Sequence, residues 1–536
     1  MQLPRSPAWW QARVWLLLLL PVVFGLTARE YTKLRGPLYL APNNDPSYIY
    51  LTNGALIVDG MRPYHTDHPG TPLQVLCAAV ILARHPQSRA VAIDSALKDP
   101  EGTLNTVIEA LILFAVGGLF LLGLAATHAT DRVGWGLLSQ ASAFYVPECF
   151  QAFGKVAPEA FLIGATFAYG GALLWRGRLI VDRRDRWQHG LLCAALAGVC
   201  VATKITFAPL ALLAFLPWQG PKNALANLGW LLLFVFFSWI PILKSLPRVF
   251  HWVVSLATHV GRYGGGPSGF VDVHAYPHAF MAMLGAATAL GIIWIGAVAV
   301  VALLARARSS PSRATLVWLT GILMAQVLSL AMVAKQPSPH YLQPALATVP
   351  LLVAVIGFSI QRTERPWRTV AVLIIASDLA LASFAALRAG REKFETTEHV
   401  EQAFLSFERE SHALSHDGQL IEYYSASSVP YALNFGNGWA YQHFAGQLEK
   451  LYPHCICLNI FNGQFDRFDT VVKPEDVFRP GATVYLAGTV DLLAVIRQGG
   501  FKIPAGWRIR LVLHRQTSFL FQVRETSRPA ESHVDR

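Results

Sequence analysis

Five side chains that could carry chemistry lie close together in one polar stretch, residues 43–72 (NNDPSYIYLTNGALIVDGMRPYHTDHPGTP). Its aspartates could accept a proton from an attacking nucleophile, and its basic side chains could hold an anion. These residues are Asp45, Arg62, His65, Asp67 and His68. Because ionisable residues are scarce in this chain, their concentration predicts that this stretch forms the active-site face of an enzyme.

The composition predicts an integral membrane protein. Only 14% of the 536 residues are charged, 53% are hydrophobic, and the mean hydropathy is +0.39. Soluble proteins carry about 25% charged residues. In a soluble protein, the net charge of +11 would suggest binding to nucleic acid. In a membrane protein it reflects Lys and Arg in the cytoplasmic loops, so we expect membrane lipids and no nucleic acid as partners.

Apolar runs of membrane length predict an α-helical polytopic protein with about eleven transmembrane helices. The first is an uncleaved anchor at 14–28, flanked by tryptophans. The others are 104–127, 133–150, 156–175, 190–203, 205–217, 228–243, 278–305, 314–333, 341–360 and 369–387. Between the first two spans, external loop 29–103 is expected to carry two helices in the membrane interface, one starting at Asp45–Pro46 and one at 73–82.

The distribution of arginines predicts the orientation of these spans. With a cytoplasmic N-terminus, three arginine-rich connections fall on the cytoplasmic side: 176–188, 306–313 and 361–368. This is the asymmetry that the positive-inside rule describes. It places the loop at 29–103, the loop at 244–277 and everything after 387 outside.

The last part of the chain changes character and predicts a separate domain. Strand-like runs alternate with helical stretches from about residue 420 to 523. We therefore expect a transmembrane module at 1–387 and a soluble α/β domain at 388–536 on the external face.

The six cysteines predict neither a disulfide framework nor a zinc site. Cys455 and Cys457 form a C-x-C whose pairing would be strained, and the other four are scattered. The spacing of His65, Asp67 and His68 fits no rigid element that would hold a metal. No Asn-x-Ser/Thr sequon occurs, which favours a bacterial inner membrane over a glycosylating compartment.

A sparser set of ionisable residues lies between the apolar segments. Lys204 stands alone between two short spans, and Lys335 precedes His340 and Tyr341. Charges at membrane depth are costly and are usually kept for a partner or a function. The alternative for each lysine is that it extends to the lipid headgroups. Glu148 and Glu159 flank a short connection that contains Lys155, where they could line an acceptor pocket or pair with that lysine.

Four local motifs follow one another along the chain: NDPSY at 44–48, HPGTPL at 68–73, ATKIT at 202–206, and PHYLQP at 339–344 after Lys335. In this order they resemble the GT-C superfamily of membrane glycosyltransferases, and within it the branch of protein-O-mannosyltransferases and lipid A aminoarabinose transferases. The sequence departs from the family pattern at Asn44, where relatives have a second acid, and at His68 and His340, where they have Lys and Arg.

The resemblance implies transfer of a sugar from a polyprenyl-phosphate-linked donor to a lipid, glycan or protein acceptor outside the membrane. It assigns Asp45 as general base, with Asp67 as the second choice. It assigns the donor phosphate to a set of cationic and polar residues: Lys204, Lys335, His340, Tyr341, His68 and Arg62. The lipid-linked sugar is a substrate, and no resident metal or cofactor is expected.

Each assignment has a plainer alternative. Asp45 before a proline is also a common helix cap, and Asp67 is also a typical solvated turn residue. For the whole chain, a transporter or flippase of a lipid-linked glycan would place polar groups in broken helices at the bilayer midplane. A non-catalytic scaffold is the third reading, because the second loop acid is missing.

Overall fold

The computed structural model describes residues 7–67, 70–179, 186–216, 221–306, 312–361, 363–499 and 501–526. Helices dominate, and seven strands in the C-terminal part form one sheet. Two compact units make up the chain: unit 1 contains residues 1–33, 66–76 and 106–394, and unit 2 contains 34–65, 77–105 and 395–536. His68, predicted to contact phosphate, lies outside the described residues.

The helices are named in chain order. The first eleven are α1 (Pro7–Arg35), α2 (Ala41–Val58), α3 (Thr71–Arg84), α4 (Arg89–Lys98), α5 (Pro100–Thr130), α6 (Val133–Ala141), α7 (Glu148–Gln151), α8 (Pro158–Leu179), α9 (Arg186–Thr203), α10 (Ala208–Ala211) and α11 (Pro221–Ser238). The others are α12 (Leu246–Thr258), α13 (Ala275–Ala286), α14 (Thr288–Arg306), α15 (Ser312–Ala334), α16 (Gln343–Leu346), α17 (Val349–Gln361), α18 (Arg365–Leu414), α19 (Val429–Gly438), α20 (Ala445–Leu451), α21 (Pro474–Val477) and α22 (Leu492–Arg497).

Several helices are long and apolar enough to cross a bilayer, as expected for a polytopic membrane protein. Within the described residues there are five such helices, or up to seven if each of two sharply bent pairs counts as one span. Three shorter apolar helices accompany them. The expected count of about eleven is therefore not established by helix length and composition.

Four predicted spans are broken or bent. The span expected at 133–150 ends at Ala141 and continues as short turns around Pro147, which cannot donate a helical hydrogen bond. The one at 278–305 bends by 88° between α13 and α14. The one at 228–243 ends at Ser238, just before Pro241, and the chain turns by 80° into α12. The segment at 205–217 consists of α10 between short 3-10 turns.

Unit 1 is built around α17. Nearly all of its residues are buried, including polar Ser359. Gly357 allows α6 to approach closely, because a Cβ there would lie 2.3 Å from the ring of Trp135. The hydroxyl of Ser139 on α6 donates to the carbonyl of Pro350 at 2.7 Å. A small residue and one polar contact thus fix this helix pair, as is common in membrane bundles.

Unit 2 contains the sheet, which confirms the predicted C-terminal α/β domain. Strand order is β4-β3-β2-β1-β5-β7-β6. The strands are β1 (Gln419–Tyr423), β2 (Cys457–Asn459), β3 (Gln464–Arg467), β4 (Thr470–Val472), β5 (Thr483–Gly488), β6 (Trp507–Arg515) and β7 (Ser518–Glu525). β1 pairs in parallel with β2 and β5, and the other pairs are antiparallel. β5 lies inside the sheet, between β1 and β7, and is almost entirely buried, which suits its Thr-Val-Tyr-Leu sequence.

The domain division predicted at residue 387 does not coincide with a helix end. α18 runs without interruption from Arg365 to Leu414, well past the predicted boundary. Packing separates the units at 394/395, and most of the loop predicted at 29–103 belongs with the sheet domain, as residues 34–65 and 77–105 of unit 2.

Within unit 2, helix α2 packs on α19 through specific polar contacts. The hydroxyl of Thr52 donates to the carbonyl of Gly436 at 2.8 Å, and the Asn53 amide donates to the carbonyl of Trp439 at 2.8 Å. A Cβ at Gly436 would lie 2.6 Å from the carbonyl oxygen of Tyr48. The absence of a side chain at position 436 is therefore a condition of this contact.

This contact predicts that Gly436→Ala destabilises the protein while Gly438→Ala does not. Overpacking against backbone costs about 1–3 kcal/mol, whereas a Cβ at Gly438 meets nothing within 4 Å. Both glycines lie in the last turn of α19, so the two substitutions change helix propensity in the same way. Thermal unfolding of the purified full-length protein in detergent would measure the difference, and equal melting temperatures for the two variants would contradict this packing.

Candidate active site

Lys204 lies at a break in the helical backbone of unit 1. α9 ends at Thr203, and Lys204 is extended, with φ −158° and ψ 130°. Its own N–H still donates to the carbonyl of Cys200 at 3.0 Å, and its carbonyl accepts from Phe207 at 3.0 Å. The residue therefore joins two helical segments without belonging to either.

The ammonium of Lys204 forms a buried ion pair with Glu159. Its Nζ donates to Oε1 of Glu159, and the two side chains are only 4% and 6% exposed. Glu159 follows Pro158 in the first turn of α8, where a carboxylate interacts favourably with the helix dipole. Desolvating two charges costs several kcal/mol per ion, and their attraction only partly repays it. A buried ion pair therefore contributes little net stability, and its presence points to a functional site instead.

Tyr341 and His340 complete this cluster from a third element. The Tyr341 ring lies 4.2 Å from Nζ of Lys204, within the range of a cation–π interaction. The His340 ring lies 4.1 Å from that of Tyr341, and its Nδ1 is 2.7 Å from the hydroxyl of Ser338. Lys204, Glu159, His340 and Tyr341 were all singled out from the sequence, and the structure brings them together.

The Lys204 break also touches the end of the first polar stretch. The N–H of Gly70 donates to the carbonyl of Thr203 at 3.0 Å. Gly70 has φ +55°, a conformation that glycine adopts readily. Asp67, three residues earlier, is partly buried and belongs to the same unit. The segment carrying Asp67 is therefore connected to the Lys204 region through the backbone.

Glu148 has a partner that sequence reasoning missed. Nζ of Lys393 on α18 donates to its Oε1, and Nε2 of Gln343 donates to its backbone carbonyl at 2.7 Å. Lys393 is 245 residues away in sequence, and nothing in the local pattern pointed to it. Both glutamates considered as neighbours of Lys155 thus form ion pairs with lysines from other elements: Glu148 with Lys393 and Glu159 with Lys204.

Lys335 makes its own set of contacts in unit 1. Its Nζ donates to the carbonyl of Ala257 at 2.7 Å and lies 4.8 Å from the centre of the Phe270 ring. Partial burial lowers the pKa of its ammonium. Its partners come from the last turn of α12 and the loop that follows it, whereas Lys204 pairs with Glu159 and Tyr341.

The remaining candidates belong to unit 2. Asp45 is exposed and interrupts α2 with non-helical angles (φ −96°, ψ 120°) before a cis bond to Pro46. It thus marks the start of a helical segment, as predicted, although helical turns also precede it. Arg62 is exposed and lies 5.9 Å from the Tyr441 ring centre. His65 is buried, and its ring contacts Tyr50 and Trp439 edge-on.

The candidate residues of the polar stretch at 43–72 therefore belong to two different compact units. Asp45, Arg62 and His65 are built into unit 2, whereas Asp67 and Gly70 are built into unit 1. The compact acid–base cluster that the sequence indicated is divided between the two. Among the described residues, no three His, Cys, Asp or Glu side chains are placed to hold a metal ion.

The buried pair predicts a specific pattern of stabilities. Glu159→Gln leaves the Lys204 charge uncompensated and should lower the free energy of unfolding by about 3 kcal/mol. The double variant Glu159→Gln/Lys204→Gln removes both charges and should recover most of that loss. The control is Glu109→Gln, whose partner Arg29 is 56% exposed and whose loss should barely matter.

Thermal or denaturant unfolding in detergent measures these differences. If the double variant were as unstable as the sum of its single variants, the two charges would not be coupled, and the buried pair would be refuted.

No protein-family model matches this chain, and no curated protein matches it. It is similar in structure to two crystal structures of ArnT from Cupriavidus metallidurans. The one bound to undecaprenyl phosphate has a TM-score of 0.46 and 12% identity, covering 97% of this chain and 98% of that one. The apo structure has a TM-score of 0.42 and 12% identity, with 89% and 93% covered.

Proposed function

We propose that this protein is a membrane glycosyltransferase. It moves a sugar from a polyprenyl-phosphate-linked donor to a lipid, glycan or protein acceptor on the external face of the membrane. In this proposal Lys204, with Lys335 and His340, holds the donor phosphate, and Asp45 is the general base.

The observation that carries the proposal is the buried cationic centre at Lys204. An ammonium has three N–H donors. Glu159 takes one, and the Tyr341 ring covers a second direction. A phosphate oxygen can take the third, with His340 beside it. The apolar bundle around the centre suits a phosphate that is attached to a lipid chain, and it strengthens every charge interaction made there.

The chemistry is displacement at the anomeric carbon. A bond forms from the acceptor oxygen or nitrogen to the anomeric carbon, and the bond from that carbon to the phosphate oxygen breaks. The acceptor's proton passes to a carboxylate, for which Asp45 is the first choice and Asp67 the second. Negative charge grows on the departing phosphate, and a fixed ammonium such as that of Lys204 stabilises it.

Glu159 gains a different role from the one its sequence position suggested. It was a weak candidate for the acceptor pocket, together with Glu148. Its bond to Lys204 makes it the group that orients the ammonium. Glu148, bridged to Lys393, stays a weaker candidate for acceptor contact.

The proposal includes a location. A bacterial inner membrane, a cytoplasmic N-terminus and an external sheet domain follow from the arginine distribution and the absence of glycosylation sequons.

Binding of undecaprenyl phosphate to the purified protein tests the phosphate site without knowledge of the sugar. We expect the Glu159→Gln/Lys204→Gln variant, chosen because it avoids an unpaired buried charge, to bind the lipid about tenfold or more weakly, the loss of one charge-assisted hydrogen bond. Lys222→Gln, at an exposed lysine of α11, should bind like the wild type. Native mass spectrometry gives the bound fraction, with uncharged undecaprenol as ligand control. Equal binding by the double variant would refute the site.

Substitution of Asp45 tests the base. Asp45→Asn should lower sugar transfer in membranes by about 100-fold or more, because general-base catalysis contributes a factor of that order. Its binding of undecaprenyl phosphate should be unchanged. Asp94→Asn, at an aspartate of α4 that pairs with Lys98, is the matched control. The assay follows the glycan that is lost when the gene is deleted, and full activity of Asp45→Asn would remove it as the base.

Cysteine labelling tests the orientation. In a Cys455→Ser background, Arg132→Cys and Glu475→Cys should react with a membrane-impermeant maleimide from opposite sides. Both positions are exposed, the first between α5 and α6 and the second in the sheet domain. Labelling of both from the same side would overturn the proposed topology.

One set of observations favours the alternative of a transporter or flippase. Two helix pairs are sharply bent, as in transporters with broken helices. Asp378 lies within α18, and among the described residues its buried Oδ2 has no hydrogen-bond partner. A flippase would move the lipid-linked glycan without cleaving it, so the transfer assay separates the two functions.

A further inference from the structure

Two free thiols lie side by side at the edge of the parallel part of the sheet. Sγ of Cys455 is 3.8 Å from Sγ of Cys457, and the two thiols share a hydrogen bond. Cys457 is the first residue of β2 and is buried, whereas Cys455 is partly exposed. A reagent can therefore reach the Cys455 thiol, whereas the Cys457 thiol is buried next to it.

A carboxyl group faces the inner thiol. Glu422 on β1 is paired with Cys457 in the parallel register, so both side chains point to the same face of the sheet from strands about 4.8 Å apart. The neighbouring pair, Tyr423 and Leu458, points to the opposite face, into the apolar core. Glu422 accepts a hydrogen bond from the hydroxyl of Ser428, the cap of α19.

Glu422 also lines an open cleft beyond the carboxyl end of β1. The cleft has about 340 Å³ of empty space, and its lining includes Glu408, Ser425 and Thr489. β1 has parallel neighbours on both sides, reached by connections that leave in opposite directions. This is the position in an open α/β sheet where crevices and ligand sites form. Glu422 is partly exposed there, so water can reach its carboxyl group.

We propose that Cys455 and Cys457 form a redox-active dithiol, with Glu422 as the proton acceptor for the inner thiol. The oxidant is a small-molecule or protein disulfide. The Cys455 thiolate attacks one sulfur of that disulfide, forming a mixed disulfide and releasing one thiol. The Cys457 sulfur then attacks Sγ of Cys455 as its proton passes to Glu422, and the second thiol of the oxidant leaves.

The protonation states fit these roles. The hydrogen bond to Cys455 and burial both raise the pKa of the Cys457 thiol, so it needs a base before it can attack. Burial raises the pKa of Glu422 to about 7, so its carboxylate can take up a proton near neutral pH. A disulfide between residues two apart is strained, and strained disulfides are the ones that are readily reduced again. The pair is thus suited to reversible exchange and not to permanent cross-linking.

Oxidised glutathione is the probe for the test. The full-length protein in detergent is treated with it, blocked with a thiol reagent and digested with trypsin, which leaves both cysteines on the peptide from Leu451 to Arg467. We expect this peptide to lose the mass of two hydrogen atoms and to regain it after dithiothreitol. In Cys457→Ser it should instead carry one glutathione on Cys455. Cys193→Ser, at a buried cysteine of α9, should behave like the wild type.

Two results would overturn the proposal. One is a wild-type peptide that keeps both thiols under oxidised glutathione, and the other is one that keeps a glutathione adduct without closing the internal disulfide. Glu422→Gln should slow closure of the mixed disulfide about tenfold or more, because the base is lost while the shape is kept. An unchanged closure rate in that variant would overturn the role of Glu422.

Discussion

The buried ion pair between Lys204 and Glu159 is the constraint on which the membrane part of this protein depends. The two residues are 45 positions apart and nearly without solvent contact. In apolar surroundings neither charge is tolerable without the other. The pair therefore requires that the start of α8 meet the end of α9, with Tyr341 closing over the ammonium. Apolar residues at both positions would often give an equally or more stable protein, so the pair contributes little to the free energy of folding.

The backbone around this pair is irregular, and a neighbouring segment supplies a hydrogen bond that the broken helix lacks. A helix end leaves carbonyl groups without partners inside the helix, and at membrane depth such groups must be paired within the protein. The carbonyl of Thr203 accepts from Gly70, so a segment from the first loop supplies what the broken helix lacks. Residues 339–342 form a 3-10 turn that carries Tyr341, whose ring lies 4.2 Å from the ammonium of Lys204. A helix end, a helix start and a short turn thus meet at one buried charge.

Local signals in the sequence predicted much of this, because the physics behind them is local. Apolar runs, arginine clusters and prolines predicted the helical membrane module, and the strand-like runs between residues 420 and 523 predicted the sheet domain. Polar residues isolated in apolar sequence marked Lys204, Glu159 and the His340–Tyr341 pair. Partners distant in sequence were not predictable: nothing near Glu148 indicates Lys393, and nothing near Lys204 indicates which acid would neutralise it. The bends between α13 and α14 and after α11 were also missed, since apolar composition continues through each.

The division of the first polar stretch between the units changes the role of the C-terminal domain. Asn44 donates to the carbonyl of Ala426 at 3.4 Å, the N–H of Ala41 donates to the hydroxyl of Ser427 at 3.0 Å, and Asn53 bonds to Trp439. The segment that carries Asp45 is therefore folded as part of the sheet domain. A domain that merely followed the membrane module would have no reason to hold a loop that precedes it by more than 350 residues. Its contacts fix the backbone on both sides of the exposed carboxylate, and in the proposed enzyme the sheet domain is the scaffold that positions the base.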